Sequence, residues 1–311
     1  MDQELRDAIA AYLEPAQRVL VVAHVAPDGD AIGSMLGLGR LLEAQGKVVV
    51  LACQDPVPDD MMFLSGSDRV VQSVDGRYDL AISLDCSDRR RVGNVLDGIV
   101  LPEPGEDSDT VPQEPDSAPL INIDHHVTNT LFGTVNWVDP HSVATAQMVL
   151  ALADAMGWQL DAETATCLLN GLVTDTRSFR TSNVDETAMA AVLRLMRAGA
   201  SLPHVARQAL DLRPLAVVRL WGDAVCRLQL DEGILWTEVT REMRRRWGVE
   251  DKDVSGLANS LSGVREAPIT ATARGSKNIS SKVFSPPSDR AYDTSKAWKG
   301  QSGATAEWFL L

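Results

Sequence analysis

The chain has 311 residues, 45% hydrophobic and 23% charged, which is long enough for one large domain or two ordinary ones and globular in composition. Its net charge of −14 excludes a protein that coats long nucleic acid through a basic face, although a carboxylate cluster can still gather cations for a small anionic substrate. No apolar run approaches the ~18 residues of a membrane span, so no membrane partner is expected.

The first 17 residues, MDQELRDAIAAYLEPAQ, are acidic and amphipathic and lack the basic start and apolar stretch of a secretory signal. They read as a surface helix. RVLVVAH (18–24) is a strand, AIGSMLGLGRLLEAQG (31–46) a helix ending at a glycine, and KVVVLAC (47–53) the next strand. YDLAISLD (78–85) and PLINID (119–124) are two more strands. Between them, LPEPGEDSDTVPQEPDSA (101–118) is rich in Pro, Glu, Asp and Ser and reads as an acidic surface insertion. Helices follow at 142–156, 161–174 and 185–198. This alternation predicts an α/β class with a mostly parallel sheet flanked by helices over residues 1–198. A helical connection over 199–229 then leads to a smaller mixed α/β domain over 230–311, with strands at 234–240 and 267–274. The four cysteines, Cys53, Cys86, Cys167 and Cys226, lie far apart without a C-x-x-C pair. They suit reduced thiols in a cytoplasmic protein.

Four segments carry chemistry, and three start at the C-terminal end of a predicted strand, where parallel sheets place ligand sites. His24-Val-Ala-Pro-Asp28-Gly-Asp30 brings a histidine and two aspartates onto one turn. Carboxylates so close repel unless a cation lies between them; the structural alternative is that Asp30 caps the next helix while Asp28 holds the turn. Asp85 finishes a strand, which many aspartates do without function. Cys86 beside it reads as a small buried residue, since oxygen-rich sites disfavour thiolate. Asp124-His125-His126 follows the fourth strand in a chain with five histidines in all. Asp124 is placed to accept the second ring N–H of a ligating histidine. Asp175, at the end of an apolar helix, needs a cation or the nearby Arg177. Together the segments supply four aspartates and two or three histidines, a set that suits two divalent ions, manganese or magnesium before zinc. Two such ions about 3.5–4 Å apart bind phosphate oxygens and lower the pKa of an attacking water.

Read in order, HVAPDGDAIGS, SLD, DHH and GLVTDTRSF resemble the DHH phosphoesterases, and the length and two-domain layout are most similar to the nanoRNase type. The resemblance implies an enzyme that trims very short oligoribonucleotides as an exonuclease, dephosphorylates 3′-phosphoadenosine 5′-phosphate (pAp) or cleaves linear dinucleotides. It implies one metal on His24, Asp28 and Asp85 and a second on Asp30, Asp85, His125 and Asp175, with Asp85 bridging. His126 would face the substrate phosphate as a catalytic group. Ser34, Thr176 and Arg177 are further candidates for substrate binding, and a homodimer is an expected assembly. The C-terminal domain, by contrast, departs from the family pattern. Members carry a G-G-G-H loop there, whereas this chain has no histidine after His204 and reads AWKGQSGATAEWFLL over 297–311. Gly300, Gly303 and Lys299 are candidate remnants or substitutes, and the divergence begins near Gly275. Two alternatives stay open: a nucleotide-binding protein impaired in turnover for want of that loop, and an inorganic pyrophosphatase of the same superfamily.

Overall fold

The computed structural model describes residues 1–97, 99, 118–231, 234–250, 256–266, 269–275, 298–299 and 305–310. The chain forms two compact units, Met1–Leu212 and Arg213–Leu311. The helical stretch expected to connect two domains is divided between them.

In the first unit, five parallel strands lie in the order β2-β1-β3-β4-β5. They are β1 (Arg18–Ala23), β2 (Val48–Ala52), β3 (Leu80–Leu84), β4 (Leu120–Asp124) and β5 (Val135–Val138). The central strands β1, β3 and β4 are buried at every position but Arg18 because both faces are covered. Val19, Val21 and Ala23 face one core with the helices; Leu20 and Val22 face another, built by Tyr78, Val92, Val95, Leu96 and Phe132 from loops and short turns. β5 escapes sequence reading because its four residues, VNWV, form an edge strand with one buried position. The helices are α1 (Gln3–Leu13), α2 (Gly29–Ala44), α3 (Thr145–Ala155), α4 (Ala162–Asp175), α5 (Glu186–Arg197) and α6 (Leu202–Ala206). α1 keeps a wet face but buries Ile9 and Leu13.

α2 lies close against α4, and its glycines explain how. A Cβ on Gly29 would sit 2.5 Å from the Thr174 side chain, and one on Gly33 would overlap the Cys167 carbonyl. Close approach brings the first turn of α2 beside the last turn of α4, and Asp30 thereby meets Asp175. Arg40 then ties α2 to the start of α4, donating to Asp161 at 2.8 Å and pairing with Glu163 at 2.6 Å.

The second unit holds α7 (Leu215–Val225), α8 (Arg241–Trp247) and α9 (Leu257–Leu261), with a sheet in the order β6-β7-β8-β10-β9. These strands are β6 (Gln229–Asp231), β7 (Ile234–Thr240), β8 (Ile269–Gly275), β9 (Trp298–Lys299) and β10 (Thr305–Leu310). Only β7 and β8 run parallel. Val217, Leu220 and Ala224 of α7 pack on Leu235 and Val239 of β7 and Met243 of α8. Residues 101–117 of the acidic insertion, and Gly300 and Gly303, lie outside the described residues. Among the described residues no helix is long and apolar enough to cross a membrane.

Candidate metal centre

The register of the sheet assembles the site. Ala23 pairs with Leu84, and Leu84 with Ile123. One residue further along each neighbouring strand come His24, Asp85 and Asp124, so three chain segments deliver polar groups to one row. Asp85 leaves the strand with φ +60°, a left-handed conformation that aspartate tolerates better than most residues. His125 and His126 follow past the end of β4, where the chain turns, and their rings lie 4.6 Å apart at 60°. The first turn of α2 adds Asp28 and Asp30, and the last residue of α4 adds Asp175.

Two groups of ligand atoms share Asp85. Its Oδ2 lies 3.5 Å from His24 Nε2, which is also 3.8 Å from Asp28 Oδ2. Its Oδ1 lies 3.5 Å from His125 Nε2, itself 3.6 Å from Asp175 Oδ2 and 3.9 Å from Asp30 Oδ2. All six expected ligands therefore converge. His24 and Asp28 with Asp85, Asp30 and Asp175 with His125, and Asp85 with both adjacent histidines each keep their ligand atoms within 4.8 Å of one another. The donors are hard carboxylate oxygens and imidazole nitrogens, which fits divalent cations of the manganese or magnesium type. The ring nitrogens on the far side are occupied: His24 Nδ1 lies 2.8 Å from the Val25 carbonyl and His125 Nδ1 3.2 Å from the Ser142 carbonyl. Donation there leaves each Nε2 free to ligate.

Asp28 is held by local donors, and Asp30 and Asp85 by donors from distant chain. Asp28 caps α2, Oδ1 accepting from the N–H groups of Asp30 and Ala31 at 3.0 and 3.1 Å, so capping falls to Asp28 and not to Asp30. Its other oxygen still faces His24; capping and ligation are compatible. Asp30 is buried and accepts from the Thr145 and Ala146 N–H groups at 2.6 and 2.9 Å, serving as the cap that Ala144 cannot provide for α3. Thr145 Oγ1 also donates to Asp85 Oδ1 at 3.0 Å.

So many acids in one place shift the protons of Asp30, Asp175, His24 and His125. Burial, then repulsion from Asp85 and Asp175, pushes Asp30 well above the usual carboxylate range. Burial likewise lifts Asp175 to about 6, against the pull of His125. Burial opposes charge on His24, yet Asp28 and Asp85 outweigh it and raise the imidazole to about 10. His125 rises to about 9, burial again being overcome, here by Asp30, Asp175 and Asp85. Excess negative charge of this kind is what a bound cation neutralises.

Three expectations change at the periphery. Ser34 is fully buried and donates to Asp30 Oδ1 at 3.1 Å. Thr176 is fully buried too, its hydroxyl donating to the Leu172 carbonyl at 2.6 Å and accepting from the Phe179 N–H at 2.9 Å. Neither presents a surface to substrate: one orients a carboxylate and the other ends α4. Asp124 accepts from His126 Nδ1 at 2.7 Å and not from His125. Arg177 stays half-buried beside the site, at φ +48°. Cys86 is buried, as expected, its thiol donating to the Leu84 carbonyl. Sequence reading missed Thr145, Asn129 and Arg91, whose Nη2 lies 3.2 Å from His24 Nδ1. Thr145 and Arg91 act across a long stretch of chain, and a lone asparagine past the histidine pair carries no local signal.

Comparison with known proteins identifies the family and the fold. The model of the DHH family, N-terminal domain, matches residues 18–172. The bifunctional oligoribonuclease and PAP phosphatase NrnA of Thermus thermophilus is 34% identical over 250 residues, 79% of this chain and 69% of that protein. Its namesake from Bacillus subtilis is 26% identical over 85% of this chain and 80% of its own. The crystal structure of an exopolyphosphatase-related protein from Bacteroides fragilis superposes with a TM-score of 0.78 at 22% identity, covering 88% of this chain and 80% of that one.

Proposed function

The chain belongs to the DHH family of phosphoesterases, and from that membership we propose a two-metal hydrolase that cuts short oligoribonucleotides, linear dinucleotides or pAp to mononucleotides. The observation that carries the two-metal reading is Asp85, whose two oxygens face His24 on one side and His125 on the other at 3.5 Å each. One ion would be held by His24, Asp28 and Asp85, the other by Asp30, Asp85, His125 and Asp175, with manganese the preferred species. Bound there, divalent ions supply Lewis acidity, neutralising phosphoryl charge and making water a better nucleophile.

The protein's own groups do the remaining work. His126 keeps Nδ1 on Asp124, which turns Nε2 outward, and its imidazole is the most exposed of the site's three at 37%. Attack of water on phosphorus breaks the bond to the leaving ribose oxygen. His126 Nε2 would supply that oxygen's proton, or donate a hydrogen bond to the phosphate as charge builds. Asp124 favours the protonated ring: its hydrogen bond raises the His126 pKa above the ordinary imidazole value.

The test is incubation of the purified chain with manganese and di- to pentaribonucleotides, pAp or pApA, with mononucleotide or phosphate release measured. Hydrolysis of at least one is expected, and failure on all would overturn the reading. A second reading, nucleotide binding without turnover, is favoured by the lack of any histidine after His204; calorimetry showing tight nucleotide binding without product would select it. Release of phosphate from pyrophosphate alone would instead mark a pyrophosphatase.

A further inference from the structure

We propose that Asn129 is a positioning residue that sets His126 through Asp124, an inference that rests on the hydrolase reading above. Asn129 lies three residues past His126, and its N–H donates to the His126 carbonyl at 3.1 Å. The loop therefore turns back on the histidine it follows. The side chain makes four hydrogen bonds. Nδ2 donates to Asp124 Oδ2 at 2.6 Å and to the Cys86 carbonyl at 3.0 Å. Oδ1 accepts from the Leu131 N–H at 2.7 Å and from Asn122 Nδ2 at 3.1 Å. Two hydrogens and two lone pairs are all that a carboxamide has, so its capacity is fully used. The amide has one orientation only, since exchanging its O and N would set an acceptor against both the Asp124 carboxylate and the Cys86 carbonyl.

The consequence lies at Asp124, a fully buried carboxylate. Its side-chain donors are split between the two oxygens: His126 Nδ1 on Oδ1 at 2.7 Å and Asn129 Nδ2 on Oδ2 at 2.6 Å. Without the amide, Oδ2 loses its side-chain donor inside the fold, and the imidazole N–H can swing toward it. Nε2 then loses its bearing on the leaving oxygen. The second arm of Asn129, on Cys86, reaches the residue after Asp85, and the Thr130 N–H donates to the Ser87 carbonyl at 2.8 Å beside it. The same side chain thus spaces His126 from Asp85, which lie 3.6 Å apart. None of the four side-chain partners is a proposed metal ligand, so the effect should fall on turnover and not on metal binding.

The experiment compares Asn129→Leu, of similar size but without donors, with wild type. On a ribodinucleotide with manganese, kcat should fall about 10–100-fold, the usual loss when a supporting hydrogen bond is removed, with KM and manganese affinity unchanged. The His126 Nδ1 proton, assigned by its absence from His126→Ala, should shift or broaden in the proton NMR spectrum. Unchanged kcat, or a loss of kcat only together with manganese binding and melting temperature, would overturn the proposal. Should the leucine variant not fold, Asn129→Ser retains one donor and should show the same pattern at smaller amplitude; failure of both to fold would assign Asn129 to the fold alone and overturn it. If wild type hydrolyses nothing, the hydrolase reading fails, while the His126 proton resonance still decides the role of Asn129.

Discussion

At the scale of single residues, the site is a problem of charge before it is one of chemistry. Asp28, Asp30, Asp85 and Asp175 crowd around three imidazoles, and His24, His125 and Asp175 hold protons up to about 10, 9 and 6. A cation has to displace those protons. The metal-free site therefore binds more protons than the loaded one, and metal affinity must rise with pH. Calorimetric titration with manganese between about pH 6 and 9 should show a Kd that falls as pH rises, with protons released to the buffer; a pH-independent Kd would contradict this. His126 tests the division of labour. His126→Ala is expected to lower kcat by about 10²–10⁴-fold, the range for a lost general acid, while manganese binding is retained. Thr145 carries a third expectation. Thr145→Val removes the hydroxyl from Asp85 Oδ1 and should weaken manganese binding about 10–100-fold, as loss of a ligand's supporting hydrogen bond does. The proposed ligands stood out in the sequence because each sits beside a strand or helix end. Their supports were not: Asp30 takes its donors from residues 115 and 116 positions away, a pairing that only the packed fold creates.

At the scale of elements, the wedge between α2 and α4 decides whether the two halves of the site meet. Gly33 lets the helix backbones touch, and a Cβ on Gly171 would run into the Asp30 carboxylate and the Ala146 side chain. Gly33→Ala should cost about 1–3 kcal/mol by overpacking, read as a lowered midpoint in urea. Gly171→Ala should in addition weaken manganese binding, because it displaces Asp30, a proposed ligand. Asp161 secures the start of α4, accepting from the Thr164 N–H at 2.7 Å; Asp161→Ala should cost about 1 kcal/mol as a lost cap, visible as a lower Tm. β1, β3 and β4 could be read directly, since strands buried on both faces are rich in apolar residues. The edge strand β5 could not, because its short, half-polar segment has no period to detect.

At the scale of the whole molecule, the two units differ in how much the sequence discloses. The first alternates apolar strands and helices on either side of the acidic insertion, and three of its four motifs follow β1, β3 and β4, neighbours in the sheet. The second offered one strand, Ile234–Thr240, with its bounds intact, while α8 and α9, at 7 and 5 residues, are too short for a helical period to stand out. The net charge of −14 belongs at this scale too. It disfavours long nucleic acid, and cations in the proposed site would supply the positive field that a short anionic substrate needs. The central claim, a pair of ions sharing Asp85, is tested most directly by metal stoichiometry. Manganese content measured after equilibration and desalting should be two per chain in wild type and below one in Asp85→Asn, whose amide cannot bridge. Two manganese ions retained by Asp85→Asn, or fewer than two in the wild-type chain, would contradict the account.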